Sequence, residues 1–374
     1  MMKYIHQLKN WPKFTWDLTT IASLSGAVRN RQGRLIGRME AMGFPVRSEA
    51  VLKTLTLDIV KSSEIEGEIL DSEMVRSSIA RKLGMDIGGL VSSDRHVDGI
   101  VEMILDATSN FEKMLTKDRL YGWHASLFPG GRSGMRKIKI GAWRDDKLGP
   151  MTVVSGPVGR ERVHFQAPAA KRLNGEMREF LKWFNASTSL DPVIKAGIAH
   201  LWFVTLHPFD DGNGRIARAI ADMQLARADD SRERFYSMSA QIRQDRNAYY
   251  EILEKTQKNV QTTKESIEIT AWLEWFLICL DQALDMTERI LSGVFKRSQF
   301  RESHPSGLMN KRQCLMVNKL FDGFQGKLTS SKWAKITKCS HDTALRDILD
   351  LIRQGVLVKD PAGGRSTSYS LKDR

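Results

Sequence analysis

Three cysteines, Cys279, Cys314 and Cys339, are all that 374 residues contain, and no two form a C-x-x-C pair. That scarcity argues against a disulfide framework or a thiolate zinc site and fits a reducing compartment. Long apolar runs are missing too. The most apolar stretch, 272–280 (WLEWFLICL), is broken by Glu274 and followed by Asp281, far short of a membrane span. The opening MMKYIHQLKNWPKF has no apolar stretch of signal-peptide length. Internal repeats and low-complexity tracts are absent as well. A soluble, cytoplasmic protein without a membrane partner is the expectation.

Hydrophobic residues make up 41% and charged residues 27%, which excludes wholesale disorder. Lys and Arg outnumber Asp and Glu by 57 to 44, a net charge of +13 that invites a polyanionic partner. The length suggests two or three domains. Apolar residues recur at helical spacing over 21–43, 47–70, 96–116 and 118–128, and Asp71-Ser72 starts a helix running through Ile79. Between Pro129 and Pro168 glycines cluster and β-branched residues alternate, so a hairpin or flap is expected there. Helical spacing resumes from Ala169 to about Phe295, and 301–310 (RESHPSGLMN) reads as a linker. Beyond it come helices over 311–322, 330–337 and 341–353, a strand (GVLVK), a glycine turn and a second strand (STSYSL). That is the order of a winged helix.

The chemistry concentrates in His207–Arg218, HPFDDGNGRIAR, where an apolar run passes through a loop into a helix. Glycines at a helix start let backbone N–H groups approach a phosphate. Arg215 and Arg218, three apart, share one face of the first turn and can grip further phosphates. Asp211 is a single carboxylate beside an anion nest, which suits Mg²⁺ when phosphates and water complete its shell. His207 is the natural general base for a hydroxyl. A phosphatase or ATPase could use similar parts but needs a water-positioning residue that the motif does not identify.

This segment resembles the signature of the Fic family, H-P-F-x-[DE]-G-N-G-R-x-x-R, at every defined position. The resemblance implies transfer of AMP from ATP onto a Ser, Thr or Tyr hydroxyl of a target protein, with ATP and Mg²⁺ required. His207 would take the hydroxyl proton and Asp211 would hold Mg²⁺. Asn213 and the Gly212–Gly214 backbone would cradle phosphates, with Arg215 on the β-phosphate and Arg218 on the γ-phosphate. Phe209 would pack inward. Ser62, Glu66 and Gly67 match the family's inhibitory pattern [ST]-x-x-x-E-[GN], which implies that Glu66 pairs with Arg218 and keeps ATP from seating productively. In some relatives this glutamate also supports removal of AMP from the target.

Met151, Thr152, Val153 and Val154 resemble the Fic flap, whose edge pairs with an extended target segment. Tyr249, Tyr250 and Gln257 fall where Fic proteins place adenine-pocket residues, although a tyrosine pair is equally good core material. His124 and His164 have no motif support and read as structural. WPKFTWD is similar to an N-terminal extension of some Fic proteins. The fold class expected is mainly α: a Fic helical core with a β-hairpin flap and a C-terminal winged helix-turn-helix domain. The corresponding boundaries are 1–104 with the inhibitory motif, 105–260 for the catalytic core, 261–304 for connecting helices, and 305–374 for the winged helix.

Residues 305–374 hold 13 Lys/Arg against 6 Asp/Glu, more than half of the net surplus. The helix expected to read DNA, 341–353, carries Asp342, Asp347 and Asp350 against Arg346 and Arg353, and the wing offers Lys359 and Arg365. Phosphate contact with DNA and docking of a protein partner are equally open for this tail. Two alternatives stand beside AMP transfer: a DNA-binding regulator with a nucleotide-sensing core, and transfer of another phosphate-containing group. The oligomeric state is left open, a homodimer included.

Overall fold

A computed structural model describes the chain except residues 1–3, 86–88, 148, 158, 259–265, 304–308, 322–323, 325, 362–366 and 373–374. It is mainly helical and divides into two compact units, Met1–Glu288 and Arg289–Arg374. In chain order the helices of the first unit are α1 (Leu18–Glu40), α2 (Phe44–Ile65), α3 (Ser72–Lys82), α4 (Arg95–Ser109) and α5 (Lys117–Leu127). They continue with α6 (Leu173–Asn185), α7 (Pro192–Leu206), α8 (Asn213–Asp229), α9 (Met238–Gln244) and α10 (Arg246–Lys258). Helix α11 (Thr270–Ser303) runs past the division.

The centre is α7. Its sequence is apolar on all sides, and every residue from Val193 to Leu206 is buried, as expected of a helix with no polar face to turn outward. Pro192 begins it, and Asp191 caps it by accepting from the Val193 and Ile194 N–H groups at 2.8 and 3.2 Å. Helix α8 packs along α7, while α1, α2, α4 and α5 contact α8 and α6 contacts α7. Trp272 of α11 donates its indole N–H to the Gly197 carbonyl at 2.8 Å, fixing α11 to α7.

Short strands decorate this bundle. β1 (Phe14–Thr15) pairs in parallel with β6 (Ile267–Glu268), and β2 (Arg132–Ser133) pairs antiparallel with β3 (Arg136–Lys137). β4 (Thr152–Ser155) and β5 (Arg162–Gln166) make the larger hairpin, with Val153 opposite Phe165 and a bulge after Val153. Tyr4, Phe165 and Ala167 form a small core under it, against which Met151 and Val153 pack. Val154 is exposed. The WPKFTWD segment is packing material: Trp11 and Phe14 meet the Trp202 ring edge-on, Trp11 donates to Glu176 at 2.8 Å, and Asp17 caps α1 through the Thr19 N–H.

Two expected helices are shorter than their periodicity suggests. The pattern over 47–70 ends at Ile65, because Gly67 takes φ +85° and turns the chain, leaving Ile69 exposed. The pattern over 96–116 ends at Ser109, where Arg119 takes the carbonyls of Asp106 and Asn110 at 2.7 and 3.1 Å.

The second unit contains α12 (Lys311–Phe321), α13 (Ser330–Thr337), α14 (His341–Arg353) and a hairpin of β7 (Leu357–Lys359) with β8 (Tyr369–Leu371). Met316, Trp333, Ile348, Leu351 and Leu357 form its core. Asp347 of α14 is turned inward, where Arg312 and Asn310 hold it at 2.7 and 2.8 Å. Arg365 lies outside the described residues. Among those residues no helix is long and apolar enough to cross a membrane.

Candidate active site

The site is built where α7 hands over to α8. Helix α7 ends on His207, which adopts the left-handed conformation at φ 48°. Five residues later Gly212 begins α8 at φ 77°, a conformation natural to glycine. The loop between them is pinned from within. Phe209 is completely buried, stacked on the His124 ring at 4.2 Å and tilted against Trp143 at 5.0 Å. Asn213 closes the loop with its side-chain amide, accepting from the Phe209 N–H at 3.0 Å and donating to the Phe209 carbonyl at 2.8 Å. Its amide therefore braces the loop through both of its polar atoms. Arg144, buried, holds the loop from the other side: its backbone N–H donates to the Pro208 carbonyl at 2.9 Å and its Nε to the His207 carbonyl at 2.8 Å.

His207 is half-buried, and its Nδ1 faces the Val204 carbonyl at 3.3 Å. A carbonyl only accepts, so Nδ1 carries the proton and Nε2 keeps its lone pair. Burial pushes the imidazole down to about 4, with the Val204 carbonyl opposing. The ring is thus neutral at physiological pH, the form a general base requires.

Asp211 accepts from the Gly212 N–H at 2.6 Å and contacts the Ser133 hydroxyl from the β2–β3 hairpin. The two arginines of α8 point into a buried region. Arg218 is 2% exposed; its Nε donates to Ser62 Oγ and its Nη2 to the Ser62 carbonyl, each at 2.9 Å. Glu66 Oε1 sits 2.9 Å from the same Nη2. Arg215 pairs with Glu68 Oε2 at 2.7 Å and lies over the Phe128 ring at 5.2 Å. A β-carbon at Gly214 would overlap the Glu66 carboxylate, so a side chain there would have to displace Glu66 from Arg218.

Two buried donors of this cluster, Arg218 Nη1 and Arg215 Nε, make no hydrogen bond among the described residues. Orphaned donors are costly in a protein interior, and both arginines stand in the first two turns of α8, whose opening N–H groups are free of intrahelical partners. The donor set fits an anion of several charges. Glu66 and Glu68 are paired with the arginines, whereas Asp211 of the motif loop accepts from the Gly212 N–H, so the residues also fit a magnesium ion whose shell is completed by phosphate and water.

The expected adenine-facing residues divide. Tyr249 is buried and hydrogen-bonds His200 at 2.9 Å; Gln257 is buried and donates to Thr205 at 3.1 Å. Both are core residues. Tyr250 is half-buried with its hydroxyl 3.4 Å from the Ile65 carbonyl, beside the end of α2. Of the other histidines, His124 serves as the Phe209 stacking partner. His164 of β5 bonds Ser155 across the hairpin at 2.5 Å and ties the hairpin to α10 through Glu254 at 2.6 Å.

Residues 114–225 match the Fic/DOC family. The chain carries a Fic domain. Residues 4–85 match a second family, a domain of unknown function (DUF4172). It is this second segment that brings Ser62, Glu66 and Glu68 to the arginines of the Fic domain. The protein adenylyltransferases Fic of Drosophila yakuba and Drosophila melanogaster are 31% and 30% identical to this chain over 112 residues, 29% of it. The matched segment spans about a fifth of those proteins, 20% of each. In fold, the chain is similar to a Fic family protein from Desulfovibrio desulfuricans G20, with a TM-score of 0.53 at 20% identity over 97% of this chain and 98% of that one. It is also similar to a Fic domain containing signaling protein from Bacteroides thetaiotaomicron, with a TM-score of 0.51 at 18% identity over 72% and 95% of the two chains.

Sequence reasoning did not find Glu68, His96, Arg144 or Ser133. The first was legible in principle, since a second carboxylate two residues after Glu66 repeats the charge beside the same turn. Arg144 and Ser133 reach the loop only through the tertiary fold, and no local spacing announces them.

Proposed function

We propose that the protein transfers AMP from ATP to a hydroxyl side chain of a target protein, and that Glu66 holds this activity in check. The observation that carries the reading is the neutral His207 imidazole, with Nε2 unprotonated, one short loop away from two buried arginines with unsatisfied donors. Base and anion site are fixed on consecutive helices packed against each other.

In the forward reaction the target hydroxyl oxygen attacks the α-phosphorus of ATP as the bond to the bridging oxygen of the β-phosphate breaks, releasing pyrophosphate. The hydroxyl proton passes to His207 Nε2. The N–H groups at the start of α8, with Arg215 and Arg218, bind the β- and γ-phosphates and stabilise the leaving pyrophosphate. Asp211 would hold Mg²⁺, which supplies positive charge to the phosphates when bound. Hairpin β4–β5 offers the edge of β4 and the residue before it, Met151–Val154, for pairing with an extended stretch of the target.

Glu66 opposes this by occupying the place of a phosphate. Its carboxylate neutralises Arg218 and lies against Gly214, where a phosphate oxygen would approach the α8 backbone. Replacing Glu66 with glycine is expected to raise incorporation of α-phosphate-labelled ATP, and adding His207→Ala is expected to abolish it. Label that persists without His207 would remove the assignment of the base.

The basic tail supports a separate reading of the second unit as a docking module for a partner. With Asp347 turned inward and paired to Arg312, the outward charge of α14 is less acidic than its composition suggests.

A further inference from the structure

Glu68 lies beyond the inhibitory pattern, which ends at Gly67, yet it does to Arg215 what Glu66 does to Arg218. Its Oε2 is 2.7 Å from Arg215 Nη1. The chain reaches both arginines in three residues because Gly67, at φ +85°, reverses direction between the two glutamates. The Glu68 N–H donates to the Ser63 carbonyl at 3.0 Å, fixing the turn to the end of α2.

Glu68 is not held by Glu66. Its other oxygen contacts His96 Nε2 on α4, and His96 Nδ1 faces the Leu127 carbonyl at 3.1 Å. Both partners of the ring are acceptors, so the contacts are all satisfied only when both ring nitrogens donate, which favours the imidazolium form of His96. Glu68 is therefore clamped between two cations, one on α4 and one on α8. That arrangement persists whatever occupies position 66. Arg215 in turn is buried, with its guanidinium over the Phe128 ring at 5.2 Å, and its Nε has no hydrogen-bond partner among the described residues.

We infer that Glu68 is a second, separately anchored latch on the phosphate site, so that a nucleotide must displace one carboxylate at Arg218 and another at Arg215. The inference rests on the reading that these arginines receive nucleotide phosphates. It does not depend on which group is transferred. Removing Glu66 alone opens only half of the site, and Glu68 sets how strongly a β-phosphate is bound.

The test is binding of ATP, ADP and AMP to full-length Glu66→Gly protein with and without Glu68→Gln, by titration calorimetry without turnover. The expected result is roughly tenfold tighter binding of ATP and ADP in the double variant, from release of one charge-assisted pair, with AMP unchanged. His96→Gln in the Glu66→Gly background removes the clamp without touching the nucleotide site and should move ADP affinity in the same direction. In an Arg215→Ala background the effect of Glu68→Gln should vanish. Equal ADP affinity with and without Glu68, in folded proteins of matched melting temperature, overturns the inference. So does an equal gain for AMP. If ADP binding responds as expected while no target or self-modification occurs, the latch stands and the transfer reading falls.

Discussion

Glu66 Oε1 and Arg218 Nη2 stand 2.9 Å apart in a spot where Gly214 leaves just enough space for the carboxylate. The contact joins a segment from one family to the motif of another: Glu66 lies within the DUF4172 match and Arg218 within the Fic match. A helix start lined with N–H groups and arginines is an anion site, and here the protein supplies the anion itself.

Gly214→Ala tests that packing. The added methyl would collide with the Glu66 carboxylate, while also obstructing the close backbone approach that a phosphate needs. The substitution should disturb the Glu66–Arg218 pair without activating the protein. In a Glu66→Gly background it should weaken ATP binding by roughly tenfold, measured by calorimetry. Unchanged affinity would mean that phosphate does not approach α8 at this residue.

His207 should titrate far below an ordinary histidine, since burial pushes it down to about 4. Its lowered value makes the folded protein resist a proton that the unfolded chain accepts, so this residue costs stability as pH falls below 6.5, the ordinary value. Proton NMR of the unliganded protein, with His207→Ala for assignment, should show no titration of this ring near neutrality.

The Glu68–His96 pair predicts a dependence of the opposite kind for its histidine. The hydrogen bond to Glu68 raises His96 above 6.5, with burial opposing and the Glu68 charge adding to it; Arg215 lowers it and Asp94 raises it slightly. For Glu68 burial pushes up, but His96 and Arg215 together hold it below 4.5, against the charge of Asp211. The histidine contribution is fully present below 6.5 and disappears as pH rises through its folded value. The glutamate contribution is present above 4.5 and is lost as pH falls through its folded value. Urea midpoints taken at about pH 6 and about pH 8.5 should therefore differ less in His96→Gln than in the parent protein.

Arg144 should matter to stability and to catalysis through the carbonyls it holds. Arg144→Ala removes a buried cation bonded to the His207 carbonyl and to Asp146, 2.8 Å away in each case. A loss of about 2–4 kcal/mol is expected from urea titration. In the Glu66→Gly background kcat should fall while the KM for ATP is nearly unchanged, because Arg144 positions the base loop and does not touch the phosphates. Lysine should rescue poorly, as a point charge cannot reproduce the fork of a guanidinium.

How much of the fold and site was legible in the sequence differs by element. The helices of the second unit follow their periodicity closely, and Asp71 marks a real helix start because a carboxylate there satisfies free N–H groups. The twelve-residue motif could be read from spacing alone, since loop, glycines and arginines are neighbours along the chain. Periodicity overran the end of α2, where a glycine turn interrupts a pattern that Ile69 superficially continues. Tyr249 and Gln257 show the limit from another direction. An aromatic ring and an amide suit a purine, but which side of α10 faces the core depends on His200 and Thr205, some fifty residues earlier in the chain. Glu68 was within reach of a charge count, but its partner His96 was not.

The most direct measurement is the intact mass of the Glu66→Gly protein after incubation with ATP and magnesium, beside Glu66→Gly/His207→Ala. AMP transfer with His207 as the base predicts an added adenylyl group on the first protein and none on the second. An added phosphate, or an adenylyl group on both, would contradict it.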